Sequence, residues 1–64
     1  MFVIINRKTG LFVYGTDYRY YPPHQRTSDE IALTFETYEY AEVAFRTRRC
    51  GKDYRIVEAR IEVV

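Results

Sequence analysis

The side chains that could do chemistry fall in two stretches. The first is Tyr18-Arg19-Tyr20-Tyr21-Pro22-Pro23-His24-Gln25-Arg26. Rings interleaved with guanidiniums suit single-stranded RNA or DNA, where bases stack on aromatics and cations meet phosphates. They suit protein interfaces equally, because Tyr and Arg supply most hot spots. The bland alternative is that the tyrosines fold back over an open sheet face. The second stretch holds Arg48, Arg49 and Lys52, flanked by Arg46 and Arg55. It could bind an anionic surface and would add to the first stretch if the two lay side by side. Equally, it could simply furnish a helix C-terminus with cations.

Catalysis is not expected. His24 is the only histidine and could act as a general base, but no nucleophile or metal ligand is spaced to work with it. A zinc site of ordinary type cannot be built from the single Cys50 and His24. Cys50 should lie near a helix C-terminus, where the negative end of the dipole raises a thiol pKa. No cofactor or metal is implied.

The element that must position these residues is a helix over 37–51. Thr37 is an N-cap residue, Glu39 and Glu42 occupy the first half, and Arg46, Arg48 and Arg49 fill the last turn. Glu42 and Arg46 form an i,i+4 pair in the favourable order. Gly51 fits the C′ position. Ala41, Ala44 and Phe45, with Tyr38 one turn earlier, make an apolar stripe with Phe45 as its knob. Thr27 and Glu30 form a capping-box pattern, so a longer helix from Ser28 is an alternative. Ile31, Leu33 and Phe35 instead alternate as a short strand would, and the extended reading is preferred.

Strands account for the rest. Residues 2–5 and 11–14 are short apolar runs joined by a polar segment ending in Gly10, which reads as a hairpin. Both runs are nearly continuous in apolarity, so each should be contacted on two faces. Residues 15–30 read as one long loop, stiffened by Pro22-Pro23 and too aromatic for a solvated tail. From 53 or 54 to 64, Val57, Ala59, Ile61 and Val63 alternate with Glu58, Arg60 and Glu62, giving one apolar and one charged face. The expected fold is α+β: an antiparallel sheet of three or four strands with one helix on one face, in the order β-β-(β)-α-β.

The 64 residues make one domain near the lower size limit for an independent core. Seven tyrosines and four phenylalanines supply the area that disulfides cannot. Net charge is +1, so no global field favours nucleic acid. Charge is unevenly placed: residues 27–45 hold five carboxylates and no cation, while 46–55 hold five cations and one carboxylate. The helix dipole explains much of that. The five-residue apolar run at the start is too short for a signal peptide or membrane span, and an unpaired thiol points to the cytoplasm.

The Leu33-x-Phe35-x-Thr37 entry into a helix with Ala41, Ala44 and Phe45, followed by alternation over 57–63, resembles small uncharacterised proteins of bacteriophages and prophages. The resemblance spans the second half of the chain. It implies a cytoplasmic accessory protein that binds host or phage macromolecules and assigns no role to the Tyr-rich segment. The functional expectation is a non-enzymatic module engaging a protein partner, with a homodimer through a sheet edge or face as a further possibility. The alternative is single-stranded RNA or DNA binding by Tyr18, Arg19, Tyr20, Tyr21 and Arg26.

Overall fold

The computed structural model describes residues 1–60. Its elements are β1 (Phe2–Asn6), β2 (Phe12–Asp17), β3 (His24–Ser28), α1 (Tyr38–Thr47) and β4 (Tyr54–Glu58). The strands form one sheet in the order β3-β2-β1-β4, each neighbour antiparallel, with α1 packed on one face. The α+β class and the β-β-β-α-β order agree with the sequence reading.

The first turn is local chemistry. Asn6 Oδ1 accepts from the backbone N–H groups of Lys8 (2.8 Å) and Thr9 (3.1 Å), and Gly10 takes φ +74°. Asn6 N–H donates to the Leu11 carbonyl, and Ile5 stands opposite Phe12. Residues 33–35 then bridge the two strands. Leu33 N–H donates to Val13 O at 3.0 Å, while Phe35 and Phe2 exchange bonds of 2.7 and 2.9 Å. The stretch is not helical, but it forms only an isolated bridge, Phe2 to Phe35, and not the short strand its alternation predicted.

The third strand lies elsewhere, inside the expected loop. β2 continues to Asp17 and β3 begins at His24, so only residues 18–23 are turn. Thr16 pairs with Gln25, and the register shifts between Val13 and Gly15, leaving Tyr14 as the extra residue of a bulge. β3 has no apolar alternation because it is a polar edge strand, paired through its backbone and not through a buried face. A helix from Ser28 does not form. Ser28 closes β3 instead, its Oγ accepting from Glu30 N–H (3.1 Å) and Ile31 N–H (3.3 Å).

The helix starts where expected. Thr37 is extended (φ −124°, ψ 157°), its hydroxyl accepts from Tyr40 N–H at 3.2 Å, and Arg46 meets Glu42 at 3.1 Å. It stops earlier than expected. Arg49, not Gly51, takes the left-handed C′ position at φ +51°. Arg49 N–H donates to Arg46 O, and Cys50 N–H reaches back to Phe45 O. That is the Schellman arrangement, whose last residue packs against the helix's final turn. Cys50 is 7 % exposed and clusters with Phe45, a contact that a glycine in its place would lack. Gly51, at φ +74°, serves the next turn.

The core centres on Ile4, Val13 and Cys50, with Leu33, Phe35, Phe45, Tyr54 and Ile56 packed around them. Phe2 meets Tyr38 edge to face at 5.8 Å, placing even-numbered β1 residues toward α1. Because Ile4 pairs with Ile56, the helix-facing side of β4 carries Tyr54 and Ile56. Val57, expected on the core face, therefore points the other way, opposite Val3. Val3 is 3 % exposed there, so β1 is covered on both faces as its continuous apolarity implied. The remaining alternation, at 61–64, lies outside the described residues.

Candidate functional site

The β2–β3 tip is organised by a carboxylate. Asp17 Oδ1 accepts from the backbone N–H of Arg19 (3.0 Å), repeating the turn-closing device used by Asn6. The charge then does more. Arg19 Nε and Nη2 grip both oxygens at 3.0 and 2.7 Å, and Arg26 Nη2 reaches Oδ2 at 3.3 Å. These bonds, Arg19's first, hold the Asp17 carboxyl well below the usual carboxylate range.

The rings sit on this frame. Tyr20 stacks on His24 with centroids 3.9 Å apart and planes 3° from parallel, and the guanidinium carbon of Arg49 lies 5.4 Å from the Tyr21 ring centre. His24 is thus occupied as a stacking partner for Tyr20. Tyr18, Tyr20 and Tyr21 are all exposed, Tyr21 most of all. The tyrosines are not folded over the sheet.

The helix terminus is pinned beside the tip. Gln25 Nε2 donates to the Arg48 carbonyl at 2.6 Å, Arg48 Nη1 donates to Thr16 Oγ1 at 3.0 Å, and that hydroxyl donates to Gln25 Oε1 at 2.7 Å. Arg48 and Arg49 therefore join the tip, as the sequence reading allowed. The rest of the basic stretch disperses. Arg46 and Arg55 line a separate cleft of about 420 Å³ with Arg7, Phe45 and Tyr54. Lys52 is exposed in the turn after α1.

Two clefts adjoin the tip. One, of about 490 Å³, lies between Tyr18, Phe35, Glu36, Tyr40, Val43 and Arg48. The other, of about 340 Å³, brings His24, Cys50 and Asp53 together under Pro22 and Pro23. Those three could look like base, nucleophile and acid. Burial, however, pushes the Cys50 thiol up to about 11, with Arg48 acting weakly in the opposite direction. The thiol is therefore protonated and hidden at neutral pH. The direction matches the sequence expectation, but the cause is desolvation. Among the described residues no group of three or more His, Cys, Asp or Glu side chains is placed to hold a metal.

Sequence reasoning missed Asp17, Thr16, Tyr40 and Val43, and gave Gln25, inside the candidate segment, no role of its own. Asp17 was findable, since an Asp entering a turn commonly accepts the backbone N–H two residues on. Tyr40 and Val43 stood outside the apolar stripe and had no signal of their own. A scan against protein families found no model that matches the chain, and comparisons with curated proteins and with solved structures found no match either. No described helix is long and apolar enough to cross a membrane.

Proposed function

We propose that this chain is a non-enzymatic binding module that engages a protein partner through the β2–β3 tip and the adjoining end of α1. One observation carries the reading: Tyr21 is 88 % exposed yet supported from behind by Arg49. A large exposed ring with a cation on one face offers apolar area and a hydroxyl to a partner, which is what an interface anchor needs.

The clamp at Asp17 favours protein over nucleic acid. It occupies Arg19 and Arg26 and offsets one of their two charges, so a phosphate would compete with an internal carboxylate. The resemblance of the second half to phage-type proteins suggests a host or phage protein as partner, in a reducing cytoplasm that suits the lone Cys50.

Capture from host lysate, compared between the wild type and Tyr21→Ala, tests the proposal. A partner retained by the wild type should be weakened by roughly thirtyfold in the variant, the scale of a hot-spot truncation. Equal capture by both would remove the tip from the account. Binding of a single-stranded oligonucleotide that weakens steeply between two salt concentrations would replace the reading with nucleic-acid recognition.

A further inference from the structure

We propose that the cleft between α1, residues 34–36 and the β2–β3 tip receives a segment of the partner in which a large apolar side chain stands beside a single carboxylate. This rests on the protein-binding reading and specifies the chemistry of what is bound.

The apolar half of the argument is the wall. Tyr18 of the β2–β3 turn and Tyr40 and Val43, one turn apart on α1, are 59, 64 and 63 % exposed and line one cleft of about 490 Å³. Single exposed apolar residues are ordinary, but three gathered around a concavity with half-buried Phe35 mark a binding surface. The volume accommodates a large side chain.

The charged half is Arg48. Its Nη1 is tied to Thr16 Oγ1, that hydroxyl to Gln25 Oε1, and Gln25 Nε2 back to the Arg48 carbonyl, which closes a ring of hydrogen bonds. The side chain is therefore held in place before anything binds. No carboxylate pairs with it among the described residues. A guanidinium of this kind offers its remaining N–H groups as a planar fork that matches a carboxylate.

Glu36 decides how much negative charge the cleft accepts. It lines the same concavity, so one carboxylate directed at Arg48 is favoured while a run of phosphates would meet repulsion. An apolar-acidic peptide therefore fits the cleft better than a nucleic-acid backbone does.

The test is a titration of the full chain followed by nitrogen–proton correlation spectra. The probes are N-acetyl-L-phenylalanine, its uncharged amide, and acetate. The acid should give saturable shifts at Ala44, Thr47 and Arg48 in the millimolar range expected of so small a ligand. The amide should bind about tenfold more weakly, the loss of one charge-assisted contact, and acetate should not saturate. Arg48→Gln keeps the main-chain acceptor for Gln25 and should reduce the acid to the level of the amide. Val43→Ser, at an exposed position and without added charge, should weaken acid and amide alike.

Equal binding of acid and amide overturns the proposal. So does the absence of saturable shifts, or shifts centred on Tyr21 and Arg49. The two readings fail separately. Lost partner capture in Tyr21→Ala with no probe in the cleft would sink this inference and keep the module. Capture unaffected by Tyr21→Ala with the acid seated at Arg48 would do the reverse.

Discussion

The chain closes two hairpin turns with the same device and obtains two different objects. In the β1–β2 turn, Asn6 Oδ1 takes the N–H groups of Lys8 and Thr9, and the flanking cations Arg7 and Lys8 remain exposed. In the β2–β3 turn, Asp17 Oδ1 takes the N–H of Arg19, but the carboxylate also gathers the side chains of Arg19 and Arg26. A neutral acceptor organises backbone alone. A charged one organises backbone and surface together, and the exposed tyrosines then stand on an ordered base. The difference between a plain turn and a candidate interface is thus one carboxylate and the rings around it.

Tyr21→Ala should break the contrast most strongly. It should cost roughly 2 kcal/mol of partner affinity with stability within about 0.5 kcal/mol of wild type, whereas Lys8→Ala in the other turn should change neither. Denaturant unfolding and partner titration read the two effects separately. Next comes Asn6→Ala, which strands two N–H groups and should destabilise by about 1 kcal/mol while leaving affinity intact. Arg49→Gly acts in the opposite sense on stability. Removing a side chain from φ +51° should stabilise by up to about 1 kcal/mol, yet affinity should fall because Tyr21 loses its support.

The smallest effect tests the carboxylate itself. Asp17 releases its proton more readily folded than unfolded, so its contribution is complete above its ordinary value of 3.8 and is lost as pH falls below that. Asp17→Asn keeps the backbone acceptor and makes the second turn resemble the first. The variant should keep the hairpin and lose that part of the acid dependence of unfolding. An unchanged pH profile would show that the clamp contributes nothing to folding.

How much of this could be read in advance depended on how local each interaction was. The N-cap at Thr37 and the Glu42–Arg46 pair involve residues within one turn, and both were legible. The helix stop was not, because it turns on Cys50 being buried against Phe45, a property of the finished core. β3 was hidden for a related reason: His24–Ser28 pairs by backbone and by Gln25, and leaves no hydrophobic period. The orientation of β4 followed the Ile4–Ile56 pairing, which overrode an alternation counted from Val57. In the site, Tyr and Arg content pointed to the tip. That Arg48 and Arg49 join it while Arg46 leaves could not be seen.

Composition and short-range spacing alone established an α+β chain with one capped helix, an apolar hairpin and an aromatic-basic segment, because those signals act over a few residues. Pairing across β2 and β3, the face each strand presents, and the cleft around Arg48 were decided only on folding. They depend on contacts such as Gln25 to Arg48, 23 residues apart, and Arg48 to Thr16, 32 apart, whose partners no local pattern names. Geometry of that kind is set by which surfaces the core has already buried.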